Sequence, residues 1–197
     1  MEKEEIVPSV TATLSISMDG VIQAPGRADE DTRGGFDRGG WAVPYNDEIM
    51  AQRMAEAMSS SGAMLLGRRT YEDFYGYWPK QTDNPFTPHL NAATKYVVST
   101  TLSEPLPWQN SILLSGDPAA TVANLKSQSD LGIVGSAHLV RSLLADGLID
   151  RYVLLIHPLV LGQGRRLFNE RGPGIDLELV DSVTTSKGVI IATYEPR

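Results

Sequence analysis

From Val10 to Met18, apolar residues (Val10, Ala12, Leu14, Ile16, Met18) alternate with small polar ones (Thr11, Thr13, Ser15, Ser17). A period of two predicts a strand with one face in a core. Asp19-Gly20 then turns the chain into Val21-Ile22. From Gln23 to Gly40 the periodicity disappears among Pro25, Gly26, Gly34, Gly35, Gly39, Gly40 and mixed charges. A loop of that length inside one domain is usually a lid or disordered. Asn46-Asp47-Glu48 opens a helix to about Ser60, whose apolar stripe is Ile49, Met50, Met54, Ala57 and Met58. Its acidic start suits the positive end of the helix. Ala63 to Leu66 is apolar without alternation, as in a buried parallel strand. Thr70 caps a short helix through Tyr75, and Pro79 to Pro88 reads as irregular.

The second half repeats the same alternation of elements. Lys95 to Ser99 and Ser111 to Leu114 read as strands. Asp117-Pro118 launches a helix to about Ser127, with proline at the first helical position. Leu131 to Val134 is a strand, Ser136 to Ala145 a helix, and Arg151 to Val160 a long apolar strand. Asp176 to Val183 and Val189 to Tyr194 form a closing antiparallel pair. Strand–helix alternation ending in a hairpin predicts an α/β fold: a mixed, mostly parallel sheet flanked by helices, with an antiparallel edge.

Composition narrows the class. The chain has 197 residues, 42% hydrophobic, which suits one domain over residues 9–197 behind a flexible tail, residues 1–8. No apolar run reaches the roughly 20 residues of a membrane span. Seventeen basic against 24 acidic residues give a net charge of −7, which disfavours nucleic acid as a partner. Cysteine is absent, so disulfides, thiolate metal sites and cysteine nucleophiles are excluded. His89, His138 and His157 are scattered without metal-ligand spacing, so no metal site is expected. A soluble cytoplasmic protein is the default expectation.

Ligands of α/β sheets bind beyond the carboxyl ends of the strands. Two strand exits carry suitable residues. In Gly67-Arg68-Arg69-Thr70, glycine allows close approach and the arginines offer forks that match phosphate. In Gly135-Ser136-Ala137-His138, small residues let an anion approach the helix amides. Either one alone is as easily a plain turn or a cap. Two in one chain suggest a dinucleotide. The Gly-x-Gly-x-x-Gly fingerprint is absent, with Gly162-x-Gly164 the nearest approach, so a regular Rossmann domain is not expected. The aromatic cluster from Tyr71 to Trp78 reads as core and subunit interface.

Together these residues resemble the dihydrofolate reductase-like superfamily, in particular the branch containing the reductase domain of bacterial riboflavin biosynthesis. The resemblance runs from Val10 to about Tyr194. It rests on Ser17-Met18-Asp19-Gly20, Leu66-Gly67-Arg68-Arg69-Thr70-Tyr71-Glu72, Val97-Val98-Ser99-Thr100, Val134-Gly135-Ser136-Ala137-His138-Leu139 and Leu161-Gly162-Gln163-Gly164-Arg165-Arg166-Leu167-Phe168. It implies an NADPH-dependent reductase that transfers hydride to a small heterocyclic or carbonyl/imine substrate, pyrimidine- or pterin-like. By position it places Gly67, Arg68, Arg69 and Thr70 at the pyrophosphate and 2′-phosphate. Ser99, Thr100 and Thr101 fall beside the adenosine, and Gly135, Ser136, Ala137, His138 and Leu139 around the pyrophosphate. It also implies a homodimer and a mobile loop starting at Asp19-Gly20.

On the substrate side the frame from Trp41 to Asn46 matches, but Asn46 holds the place of the family's acid and Ile156 that of its partner threonine. Trp41, Asn46 and Ile156 are the expected substrate contacts. Such a pair does not bind a protonated pterin through charged hydrogen bonds, which points away from folate itself. Asp47 and Asp19 are then the candidate proton-handling residues, with helix capping and turn closure as their alternative roles. A dinucleotide- or metabolite-binding homo-oligomer without turnover, or a purely structural oligomer, remain the competing readings.

Overall fold

The structure, a computed structural model, describes residues 8–60, 62–168 and 174–197. Most of the expected N-terminal tail lies outside them. The elements run β1 (Val10–Ser17), α1 (Glu48–Ser60), β2 (Ala63–Gly67), α2 (Arg68–Tyr77), α3 (Thr87–Ala92), β3 (Lys95–Val98), β4 (Ser111–Leu114), α4 (Pro118–Lys126), β5 (Leu131–Val134), α5 (Ala137–Ala145), β6 (Arg151–His157), β7 (Leu177–Thr184) and β8 (Ile190–Pro196). The strands form one sheet in the order β4-β3-β2-β5-β1-β6-β8-β7. Pairings from β4 to β6 are parallel and those of β8 with β6 and β7 antiparallel. This is the mixed, mostly parallel sheet the alternation predicts. Among the described residues, no helix is long and apolar enough to cross a membrane.

Strand parity divides the core. On one face, Ala12, Leu14 and Ile16 of β1, Leu131 and Ile133 of β5, and Ala63 and Leu65 of β2 pack with Val122 of α4 and Val140 and Leu143 of α5. The opposite face carries two separate clusters. Met50 of α1 packs on Leu155, Val189 and Ile191, while Met64, Leu66 and Val97 pack with Tyr71 of α2, Leu90 of α3 and Trp108. Between them β1 presents Thr11, Thr13, Ser15 and Ser17, and β5 presents Gly132 and Val134. These residues belong to neither cluster, so the strip between the two clusters, or groove, has a floor of small side chains that are polar along β1.

Three elements differ from expectation. The segment read as irregular contains α3, because Pro88 sits in its first turn, where no amide hydrogen is needed. β6 stops at His157, since Pro158 cannot continue the ladder. The 23–40 stretch is held by the buried Gln23: its amide nitrogen donates to the carbonyls of Asp31 (3.0 Å) and Arg33 (2.9 Å), and its oxygen accepts from Arg165 N–H at 3.0 Å. Val21, Ala24, Phe36, Trp41, Ala42 and Leu161 form a small core of its own. The aromatic cluster is only partly internal: Tyr71 is buried and its hydroxyl accepts from Trp108 N–H at 3.0 Å, Phe74, Tyr77 and Trp78 are half-buried, and Tyr75 is exposed.

Candidate functional site

The β2 and β5 exits meet. Ser136 N–H donates to Thr70 Oγ1 at 3.1 Å, and Gly67 N–H donates to Ser136 Oγ at 3.0 Å. Gly135 and Ser136 both take left-handed conformations (φ 65° and 51°), which turn the chain sharply from β5 into α5. A Cβ on Gly135 would sit 3.6 Å from the Thr70 methyl, so the two turns are in van der Waals contact. No side chain caps α2 or α5. The N–H groups of Arg68 and Arg69 on one side, and of Ala137, His138 and Leu139 on the other, are the first-turn donors that a helix leaves unpaired. Gly67 and Ser136, which precede α2 and α5, are hydrogen-bonded to each other, so the two helix starts are adjacent, which suits an anion.

Side chains around this turn have distinct roles. Arg68 pairs with Glu72 at 3.0 Å one helical turn on, and Arg69 is exposed. Ser99 is buried and its hydroxyl accepts from Thr101 N–H (3.1 Å) and Leu102 N–H (3.0 Å), so it shapes the β3 exit. Thr100 and Thr101 are exposed beside it, and His138 is exposed on α5. Leu139 points into the core, leaving only its amide for a ligand.

On the groove side the expected residues separate. Trp41 is buried, with its indole N–H donating to Gln23 O at 2.7 Å. Asn46 is exposed and closes the 3-10 turn Val43–Tyr45. Ile156 is corrected. It pairs with Ile16 and Ile190 and packs into the core under α5, on the face away from the groove. Because side chains alternate, the groove-facing neighbours are Leu155 and His157.

The two carboxylates take the cap and turn-closing roles that the sequence offers as their alternatives. Asp47 caps α1: its Oδ1 accepts from Met50 N–H at 2.9 Å and its Oδ2 from the Ser186 hydroxyl at 2.7 Å. These bonds hold its pKa at about 2, so at neutral pH it has no proton to give. Asp19 accepts from Ser17 Oγ (2.7 Å), Leu161 N–H (3.0 Å) and Gly162 N–H (2.9 Å). Burial pulls its pKa up, but these donors outweigh burial and hold it at about 2 as well. Asp19 ties the turn after β1 to the 161–166 segment, where Arg166 N–Hε donates to its carbonyl at 2.8 Å.

Sequence reasoning missed His157 and the Thr13–Ser15 floor. The alternation of β1 held the signal for the floor, since its outward positions are all small and polar. An open concavity of about 670 Å³ lies elsewhere, beside Thr94 and Asn110. Those residues precede β3 and β4, so it belongs to the opposite end of the sheet from the strand exits.

A family model described as the RibD C-terminal domain matches residues 8–191. The chain is 28% identical over 187 residues to the uncharacterized protein YyaP of Bacillus subtilis (strain 168), covering 92% of this chain and 91% of that one. A solved structure of a putative riboflavin biosynthesis protein from Shewanella sp. PV-4 has a TM-score of 0.67 at 20% identity, with 96% and 99% of the two chains covered. Dihydrofolate reductase from Enterococcus faecalis, complexed with NADP(H) and RAB-propyl, has a TM-score of 0.59 at 14% identity, with 96% of each chain covered. The fold is dihydrofolate reductase-like.

Proposed function

The chain belongs to the RibD C-terminal domain family, and from that premise we propose that it is an NADPH-dependent reductase of a small heterocycle or carbonyl/imine compound, of a pyrimidine- or pterin-like kind. One observation carries this reading: the reciprocal hydroxyl–amide bonds among Gly67, Thr70 and Ser136 join two strand exits into one anion site. On this reading the free first-turn amides of α2 and α5 hold the diphosphate, and Arg68 and Arg69 hold the 2′-phosphate. NADPH, when bound, supplies the hydride. The chain itself contributes binding, orientation and exclusion of water. With Asp19 and Asp47 committed to structural hydrogen bonds, neither carboxylate is assigned the delivery of the proton. We also expect the enzyme to act as a cytoplasmic homodimer.

Fluorescence titration tests the proposal. NADPH should bind in the micromolar range, with affinity lost in Arg68→Ala and Arg69→Ala; no detectable binding by the wild type overturns it. The two ionised carboxylates favour a second reading, a dinucleotide-binding homo-oligomer without turnover. That reading expects NADPH binding but no oxidation against panels of pyrimidines, pterins and quinones, and robust turnover rejects it.

A further inference from the structure

His157 ends β6 at the ligand side of the sheet. It has no exposed surface, yet among the described residues neither ring nitrogen has a hydrogen-bond partner. Its register partner on β1 is Ser17, which puts the ring on the groove face. Trp41 meets it edge-on at 5.1 Å between ring centroids and Tyr45 at 5.5 Å. Both aromatic residues come from the segment that joins the 23–40 loop to α1. Buried polar groups are almost always paired, and each exception needs an explanation. Packing alone does not supply one, because an apolar ring of similar shape would fill the same space without burying two polar atoms.

The neighbouring polar groups are already committed. Ser17 Oγ donates to Asp19 and accepts from Val21 N–H at 2.9 Å. The Trp41 indole N–H is spent on the Gln23 carbonyl. The Ser17 hydroxyl and the Trp41 indole are thus engaged, while both imidazole nitrogens are unpaired among the described residues.

We propose that His157 is a substrate-positioning residue: when Trp41 and Tyr45 part, a hydrogen-bonding edge of the substrate heterocycle enters this end of the groove and pairs with the imidazole. This rests on the reductase reading and adds to it the residue that recognises the substrate. Burial also keeps the ring neutral, with its pKa pulled down to about 4. A neutral imidazole has one N–H donor and one bare nitrogen acceptor. The substrate it suits therefore carries an amide or ureide edge, as a pyrimidinedione does, rather than an isolated ketone.

The full chain, saturated with NADPH and titrated with 5,6-diaminouracil, provides the test. With three histidines in the chain, the imidazole nitrogen signals can be resolved by NMR. The His157 signals should move on addition of the probe. His157→Phe should melt no lower than the wild type, keep its NADPH affinity and bind the probe about tenfold more weakly. His157→Gln, which keeps a donor and an acceptor, should recover part of that loss. His157 signals that stay fixed at saturating probe, unchanged probe affinity in His157→Phe, or a clearly lower melting temperature for it overturns the inference. NADPH fluorescence keeps the two proposals apart. Bound NADPH beside a silent His157 sinks this inference alone, whereas a His157 shift without NADPH binding keeps the site and sinks the cofactor reading.

Discussion

Ser136 N–H donates to Thr70 Oγ1 at 3.1 Å across 66 residues of sequence. The bond couples the start of α5 to the first turn of α2, and Ser136 Oγ returns the tie by accepting from Gly67 N–H at 3.0 Å. On the proposed reading, two helix starts held in fixed relation pre-organise the place of the diphosphate, and pre-organisation lowers the cost of binding. Thr70→Val keeps the shape but removes the acceptor. It should weaken NADPH binding about tenfold and reduce stability by ~1–2 kcal/mol. Thr70→Ser should be nearly silent. Fluorescence titration and urea unfolding measure the two effects.

Gly164 has φ +113°, and a Cβ there would lie 2.6 Å from Val21 Cγ1 and 2.8 Å from the Phe36 ring. Gly164→Ala is therefore both conformationally strained and sterically blocked. We predict a loss of about 2–4 kcal/mol, with the 23–40 loop loosened before the sheet. Limited proteolysis within residues 23–40 below the melting midpoint should show the early loosening. A melting curve identical to the wild type's contradicts the packing described.

Lys95, fully buried at the start of β3, donates from Nζ to the carbonyls of Leu90 (2.8 Å), Asn91 (3.3 Å) and Ala93 (2.6 Å), and lies 4.5 Å from the Trp108 ring centroid. It thus caps the C-terminal end of α3. Lys95→Met fills the volume but removes this donor from the Leu90 and Ala93 carbonyls, costing about 1–3 kcal/mol, while Asn91 O keeps its bonds from Gln109 and Asn110. Because this cap is remote from the strand exits, NADPH affinity should be unchanged. Urea unfolding and NADPH titration of the same variant check both halves.

Asp19 titrates at about 2, below the ordinary 3.8, so the fold favours its ionised form. Its stabilising contribution is complete above about pH 4 and lost as pH falls toward 2. The link between the turn after β1 and residues 161–166 should therefore weaken in acid. Asp19→Asn should lose this pH dependence and be less stable at neutral pH. Melting temperatures of wild type and variant between pH 2 and 7 should converge at the acid end.

Most of the fold was legible because its signals are local. The alternation in β1, the unbroken apolar run of β2 and the Asp117-Pro118 start of α4 each announce themselves within a few residues. What could not be read depends on pairing across the chain. Ile156 occupies the expected place by alignment with the family frame, but a one-residue step along a strand reverses the face, and only the register with Ile16 shows where it points. The sequence offers Asp47 two roles, acid and helix cap, and its bonds to Met50 N–H and to Ser186, 139 residues away, decide for the cap. Buried His157 and Lys95 gave no sequence signal, since a lone histidine or lysine in a strand is usually unremarkable. The two exits were legible as motifs, but their contact through Thr70 and Ser136 became visible only in three dimensions.

Crystals grown with NADPH test the central claim most directly. The account predicts the diphosphate between the Gly67–Thr70 turn and the Gly135–Leu139 turn, held by first-turn amides of α2 and α5, with the nicotinamide over the polar floor of β1. Coenzyme bound elsewhere on the sheet, or absent at millimolar concentration, would contradict it.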